Sequence, residues 1–401
     1  MLNLSLWEIV QLWWLFPFIL SLLGGFLSLW IVVPAPNWTL LPFGVCAPEI
    51  SAWLVVVNAI ALSSTLWISQ SWLFNLILVC SLLGLILSLL PLVQLPATNK
   101  RFAEEMERVL GTDYLENISQ DVRDKMRLKP FALANFFRGV SRSNIQIERG
   151  IVFASPDGVE LKLNTYRPST IEKNSTLIIV YGGAWRSGSP DDYEDFSCYI
   201  AAQNYTVIAI DYRHAPKHKF PAQLKDVKTA LQYIKNNAKA LSVDLDRMAI
   251  MGRSAGGHLA TLAAYKQDII RFRSILSYYS PVNLAEEYYD LPVPDPIDVR
   301  DVLENFLGGT PEEQPELYQQ ASPINYLQSN LPPSLLIYAG RDHLVQAKRG
   351  QKLYDKLIST NNAAIYLEIP WAEHAFDAVF FGISNQLALY YTERFLASTL
   401  Q

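Results

Sequence analysis

The first ninety-nine residues contain no lysine or arginine, and their only acids are Glu8 and Glu49. So long a stretch without basic charge has little to offer water, and it constrains the architecture before any motif is read. All 33 basic residues lie at Lys100 or beyond, so a domain boundary belongs there. Half of the whole chain is hydrophobic and only 18% is charged, and the net charge of −5 gives no reason to expect a nucleic-acid partner.

Three apolar runs occupy this quarter, at residues 12–33, 50–68 and 72–90. About 20 helical residues cross a hydrocarbon core of about 30 Å, so each run predicts one transmembrane helix in a region covering 1–98. Eight of the ten tryptophans fall here, and Trp7, Trp13, Trp14, Trp30, Trp38, Trp67 and Trp72 lie at or near run ends. Amphipathic indoles favour the membrane–water interface. A cleaved signal peptide fits poorly, because there is no positive leading segment and two more runs follow the first. Lys100, Arg101 and Arg108 come directly after the third run, whereas the other flanks carry no base. Positive charge stays cytoplasmic, so the expectation is a multi-pass membrane protein whose larger domain faces the cytoplasm.

Residues 99–143 are polar and are expected to be amphipathic linker or cap helices. Arg123, Lys125, Arg127, Lys129, Arg138 and Arg142 alternate there with Leu128, Phe131, Leu133, Phe136 and Phe137. The pattern suits an interfacial helix, a cover over a site mouth, or an ordinary surface helix packed on the next domain. Cys46, Cys80 and Cys198 are scattered and odd in number, and no Cys-x-x-Cys or Cys/His cluster exists, so no metal is expected.

From Asn144 onward strand-like and helix-like stretches alternate, the pattern of a mostly parallel sheet with helices on both faces. Eight strands are predicted, at 145–153, 161–166, 177–181, 207–211, 248–252, 275–279, 334–339 and 365–368, with helices at 224–240, 255–265 and 347–359. Gly252-Arg253-Ser254-Ala255-Gly256 follows the fifth strand and opens a helix. A lone Gly-x-Ser-x-Gly is a weak signal, but strand–turn–helix is the setting a nucleophile elbow requires. The turn needs glycine at 252 and 256, where side chains would collide with adjacent elements, and it lifts the serine hydroxyl towards a helix N-terminus.

A nucleophilic serine needs a base, and in this chain order the base comes last. Of five histidines, His214 and His218 precede the serine, His258 lies one helical turn after it, and His343 directly follows the best acid. His374 remains. The acid should leave the end of the preceding strand, which selects Asp342, with Glu368 and Asp377 as alternatives. Oxyanion donors are expected from the backbone of Ala255 and of Gly182 and Gly183, in the turn after the third strand.

Together these residues resemble the alpha/beta-hydrolase superfamily, and within it the BD-FAE and hormone-sensitive-lipase-like esterases. Asp211-Tyr212-Arg213-His214-Ala215-Pro216, Phe220-Pro221-Ala222, Ala321-Ser322-Pro323-Ile324 and Leu331-Pro332-Pro333 add to the likeness. The resemblance implies hydrolysis of carboxylic esters without a cofactor, and the apolar quarter, which would hold the serine beside a bilayer, points to a small apolar ester. Two departures stand out. Tyr181 occupies the place where the family's oxyanion loop usually begins with His, and Arg253 replaces an acidic residue common in the lipase-like branch. The Gly-Gly-x-Trp loop is also similar to arylformamidases, so amide substrates stay open, as does a non-catalytic membrane-bound binding protein. An insertion at about 282–330, rich in Pro, Tyr and acids, is expected to form a cap that shapes the acyl pocket.

Overall fold

The computed structural model describes residues 15–67, 72–137, 144–169 and 173–400. The apolar quarter folds into α1 (Leu15–Leu29), α2 (Leu41–Glu49), α3 (Ser51–Ser64) and the long α4 (Trp72–Leu110). α1, α3 and the first half of α4 pack side by side. Their pattern is the inverse of a water-soluble bundle. Ser21, Gly24 and Ser28 of α1, Asn58 of α3, and Ser81, Gly84 and Ser88 of α4 are buried. Phe16, Ile19, Leu23, Ile60, Val79, Leu82, Ile86 and Val93 are exposed instead. Small residues let helix backbones approach closely where hydrophobic burial does not drive association. Asn58 Nδ2 donates to Ser28 Oγ at 3.0 Å and to Leu54 O at 2.8 Å.

Among the described residues α4 is the one helix long and apolar enough to cross a membrane. The number is two if α2 and α3, bent by 82° to each other, form one broken span. The second apolar run therefore yields a shorter helix than its composition predicts. The hydroxyls of Ser63, Ser64 and Thr65 turn back onto carbonyls three or four residues earlier, where α3 gives way to a 3-10 turn at Thr65–Trp67. Residues 12–14 of the first run, residue 68 of the second, and Trp7, Trp13 and Trp14 lie outside the described residues.

The change of composition at Lys100 is not a break in the backbone. α4 runs through it and lands on the larger domain. Asn99 accepts the Tyr391 hydroxyl on its carbonyl at 2.8 Å and on its side chain at 2.7 Å, and Phe102 meets the Tyr391 ring edge-on at 5.4 Å. Gly111, with φ of +93°, ends the helix. The helical pattern expected further along 99–143 reduces to α5 (Gln120–Arg123) and a 3-10 turn at Leu133–Phe137. Here the side chains of the C-terminal helix replace intrahelical partners. Glu393 accepts the Arg127 amide at 2.7 Å, and Gln386 accepts from Ala132 N, Arg127 Nη2 and Asn135 Nδ2. Arg138 and Arg142 lie outside the described residues.

Eight strands then form one sheet: β1 (Ile145–Ala154), β2 (Leu161–Pro168), β3 (Asn174–Val180), β4 (Thr206–Ile210), β5 (Val243–Arg253), β6 (Ser274–Tyr278), β7 (Ser334–Ala339) and β8 (Ala364–Ile369). The order is β1-β2-β4-β3-β5-β6-β7-β8; β2 is antiparallel to both neighbours and all pairs from β4 to β8 are parallel. The central strands are buried on both faces, hence their unbroken apolar runs. One face is covered by α7 (Ala222–Asn236), α8 (Ala255–Lys266) and α12 (Ala347–Ser359). The other carries α6 (Glu194–Ala201), α13 (Ile383–Thr399) and the end of α4. Between β6 and β7, residues of the insertion form α9 (Leu284–Tyr289), α10 (Val299–Leu307) and α11 (Pro315–Ala321).

The small-residue interior of the bundle generates a test. A Cβ added at Gly84 would lie 2.3 Å from Asn58 Oδ1. Gly84→Val should therefore force α4 off α3 and destabilise the detergent-solubilised protein by about 1–3 kcal/mol, as overpacked cores do, read as a lower unfolding midpoint. The same substitution at the exposed Leu82 should leave the midpoint unmoved.

Candidate active site

Ser254 follows the last residue of β5 and precedes α8, and its backbone is held at φ 51°, ψ −125°. A non-glycine residue at positive φ costs of the order of 1–3 kcal/mol and persists only where its surroundings over-determine it. They do so here. Ser254 N donates to Tyr278 O at 2.9 Å, and His258 N donates to Ser254 O at 3.0 Å. A Cβ on Gly252 would lie 2.3 Å from Gly256 O, and one on Gly256 would lie 2.1 Å from Tyr181 O, so both glycines are required by backbone crossing.

The structure brings His374 and Asp342 to this serine. His374 Nε2 lies 3.0 Å from Ser254 Oγ, and His374 Nδ1 lies 2.7 Å from Asp342 Oδ2. The other oxygen, Oδ1, accepts the amides of Leu344 at 2.8 Å and Val345 at 2.7 Å, which leaves Oδ2 aimed at the imidazole. Burial raises the Asp342 carboxyl above its ordinary pKa, an effect that His374 and the Val345 amide oppose. The alternative acids are engaged elsewhere: Glu368 accepts the Tyr366 hydroxyl at 2.8 Å, and Asp377 pairs with Arg253. The other histidines also have separate partners. His214 Nε2 meets the Tyr181 hydroxyl at 2.9 Å. His258 accepts from Trp185 Nε1 at 3.2 Å and its Nε2 faces Ala321 O at 2.5 Å; complete burial lowers its pKa to about 4, so it stays neutral.

Gly182, Gly183 and Ala255 line the cleft beside Ser254. Gly183 has φ of +115°, and a Cβ there would lie 2.3 Å from Ser187 O, so this turn closes only with glycine. Tyr181, which departs from the family's histidine, still anchors the loop. Its hydroxyl donates to Asp211 Oδ1 at 2.6 Å, and its ring stacks on Tyr212 at 4.5 Å.

Sequence reasoning did not find the groups that hold the histidine. Glu373 clamps two loops: Oε1 accepts the amides of His343 at 2.8 Å and His374 at 3.0 Å, while Oε2 meets His343 Nδ1 at 2.6 Å. Arg253, the departure beside the serine, is fully buried between the rings of Tyr193 at 4.3 Å and Phe196 at 4.4 Å. Its Nε donates to Asp377, which also accepts the Tyr279 hydroxyl. Burial opposes the guanidinium charge, but Asp377 overcomes that penalty and holds its pKa above the usual range. The Tyr279 ring lies 4.6 Å from the His374 ring, so this cluster joins the serine elbow to the histidine loop. The available signal was Arg253 itself, a charge at the end of an apolar strand.

Ser254 and His374 open on a cleft of about 750 Å³. Ile297, Val299, Val302 and Leu303 from the insertion line it, as does Trp185, whose ring stacks on Phe306 at 4.2 Å. Of the apolar residues in the 99–143 segment weighed as a cover for the mouth, Leu128, Phe131, Leu133 and Phe136 are not among its lining.

The buried ion pair predicts a sharp asymmetry. Arg253→Met leaves Asp377 as an unpaired buried charge and should destabilise the protein by about 3–5 kcal/mol in denaturant titration. Adding Asp377→Leu to that variant should recover a large part of the loss, because an apolar pair of similar volume removes the uncompensated carboxylate.

A family model described as BD-FAE matches residues 163–357, a span that begins in β2 and takes in Ser254 and Asp342. Esterase LipC of Mycobacterium tuberculosis is 32% identical over 213 residues, which cover 50% of this chain and 53% of LipC. Esterase LipQ of the same organism is 28% identical over 242 residues, 55% of this chain and 56% of LipQ. The chain thus spans about half the length of the curated relatives it matches. Among solved structures, a bacterial heroin esterase superposes with a TM-score of 0.58 at 21% identity, covering 67% of this chain and 89% of that one. With the strand order and the strand–turn–helix at Ser254, this likeness gives the sheet-bearing part of the chain an alpha/beta-hydrolase fold.

Proposed function

We propose that this chain is a serine hydrolase of carboxylic esters, anchored in a membrane by its apolar quarter. The observation that carries the reading is the hydrogen-bond chain from Ser254 through both ring nitrogens of His374 to Asp342, opening on a largely apolar cleft. Ser254 Oγ attacks the ester carbonyl carbon while His374 Nε2 takes its proton. The oxyanion of the tetrahedral intermediate is held by backbone N–H groups of Gly182, Gly183 and Ala255, already fixed before substrate arrives. Asp342 keeps the proton on Nδ1 and offsets the charge on the imidazolium. Collapse expels the alcohol, which leaves with the proton from Nε2, and water then releases the acyl group by the same steps.

The membrane part of the reading rests on the inverted bundle. Serines, glycines and Asn58 face inward and large aliphatic side chains face outward, which is unfavourable in water and favourable in lipid. On this reading the three apolar runs enter the bilayer as a multi-pass anchor. Lys100 and Arg101 then mark the cytoplasmic side, where the hydrolase domain sits. That the relatives are named esterases supports reading esters rather than amides as the substrates of this chain.

The test is covalent labelling of the detergent-purified protein by a fluorophosphonate. Wild type should be labelled and should hydrolyse p-nitrophenyl esters, and Ser254→Ala should lose both. Asp342→Asn should lower kcat on the order of 10³–10⁴-fold with little change in stability. Labelling that persists in Ser254→Ala, or faster turnover of formyl-anilides than of aryl esters, would sink the ester-hydrolase assignment.

A further inference from the structure

The cleft is not walled by the hydrolase domain alone. Trp38, Leu41, Pro42, Val45 and Cys46, from α2 and the turn before it, line the same cavity as Ser254 and His374. That wall is fixed in place. Glu49 at the end of α2 accepts the Ser384 amide at 2.8 Å, Leu41 and Val45 pack with Ala35 and Leu344, and the Arg341 guanidinium donates to Val32 O.

The wall is continuous with the outside of the bundle. Phe43 of α2 stacks on Trp30 at 5.7 Å and meets Phe26 of α1 edge-on at 5.8 Å. Phe26, Leu29, Val33, Trp38 and Phe43 are all exposed, so apolar surface runs from the outer face of α1 to the lip of the cleft. The charged side chains along the cleft are engaged: Arg253 with Asp377, Arg186 with Asp301 at 3.8 Å, Glu287 with Arg349 at 3.3 Å, and Asp192 with the amide and hydroxyl of Ser189 at 3.1 and 3.3 Å. Nothing on this path requires a hydrated substrate.

We infer that α2 is the acyl wall of the site and that the substrate is a long-chain ester dissolved in the bilayer, reaching Ser254 sideways along this strip. The inference rests on the membrane-anchored esterase reading and adds to it the class of substrate and its route. A short, water-borne ester gains nothing from the wall. Each methylene shifts an ester from water into lipid by roughly fourfold, so long acyl chains are the ones concentrated on the bilayer side of this strip, from which the wall leads to Ser254.

The test uses full-length protein in phosphatidylcholine vesicles carrying p-nitrophenyl palmitate, with p-nitrophenyl acetate in the buffer. The palmitate rate should follow the ester's mole fraction in the lipid when total ester is held constant. Val45→Phe, which fills the wall side of the cleft, should lower the palmitate-to-acetate ratio of kcat/KM by about tenfold or more. Val45→Ala hollows the same wall and should also move the ratio, which covers the case in which the larger side chain prevents folding. A ratio unmoved in both variants, or a palmitate rate indifferent to dilution by lipid, would overturn the inference while leaving the esterase intact. Wild type that takes no fluorophosphonate and cleaves neither ester would overturn both.

Discussion

Glu49 is one of two acids in the first ninety-nine residues, and it is wholly buried. A carboxyl group survives in such surroundings only with a built partner, and its partner is the Ser384 amide in the first turn of α13. The contact is tight enough to dictate a neighbour: a Cβ on Gly382 would lie 2.3 Å from Glu49 Oε2. Much depends on this one junction. It sets where α2 ends, so it sets where Leu41 and Val45 stand in the cleft. It also fixes the start of α13, which follows directly on the loop carrying His374 and Asp377. The wall of the cleft and the loop of the candidate base therefore share one anchor.

The His374 loop is held from two further sides, and both holds are electrostatic. Glu373 ties it to the turn after β7, which carries Asp342 and His343. Asp377 ties it to Arg253, next to the strained Ser254. An arginine at 253 would be costly in isolation, because a buried guanidinium loses its hydration. Here aromatic faces on two sides and a carboxylate on a third take the place of water. A loop fastened at Glu373 and again at Asp377 leaves His374 little freedom. That restraint keeps its two nitrogens in line with Ser254 and Asp342.

The serine, the acid and the histidine were legible in the sequence because each is specified locally. Ser254 sits in a glycine-bounded turn between an apolar strand and a helix, Asp342 sits in a strand exit, and His374 remains once chain order removes His214 and His218, closeness to the serine removes His258 and adjacency to Asp342 removes His343. The central strands were legible for the same reason, as short apolar runs bounded by turn residues, and β1 and β2 by their alternating apolar and polar side chains. What escaped depends on partners far away in sequence. Arg253 and Asp377 are 124 residues apart, and Glu49 and Ser384 are 335 apart. α13 escaped for a different reason: it is buried nearly all round, so it shows no polar stripe from which a helical period stands out. Within the apolar runs, composition could not mark where helices end, since nearly every residue in a run suits a span. The 82° bend between α2 and α3 follows directly on Pro48 in the last turn of α2, a local signal that the apolar composition around it hides.

That bend has a consequence for how the two halves of the chain work together. A straight hairpin would have carried α2 into the bundle beside α1 and α3, leaving the cleft walled by the hydrolase domain only. Because the chain turns at Ile50, α2 lies across the end of the bundle and over the site. α4 prevents the two parts from swinging apart: it is one helix from the bundle to Leu110, and its far end is fastened by Tyr391 on Asn99 and by Arg108, which donates to the Tyr354 hydroxyl at 2.9 Å and to Ala364 O at 3.2 Å. A flexible tether would leave the two parts free to reorient. A continuous helix together with a docked α2 fixes the distance and the orientation of Ser254 relative to the bundle, so the apolar quarter supplies one wall of the cleft.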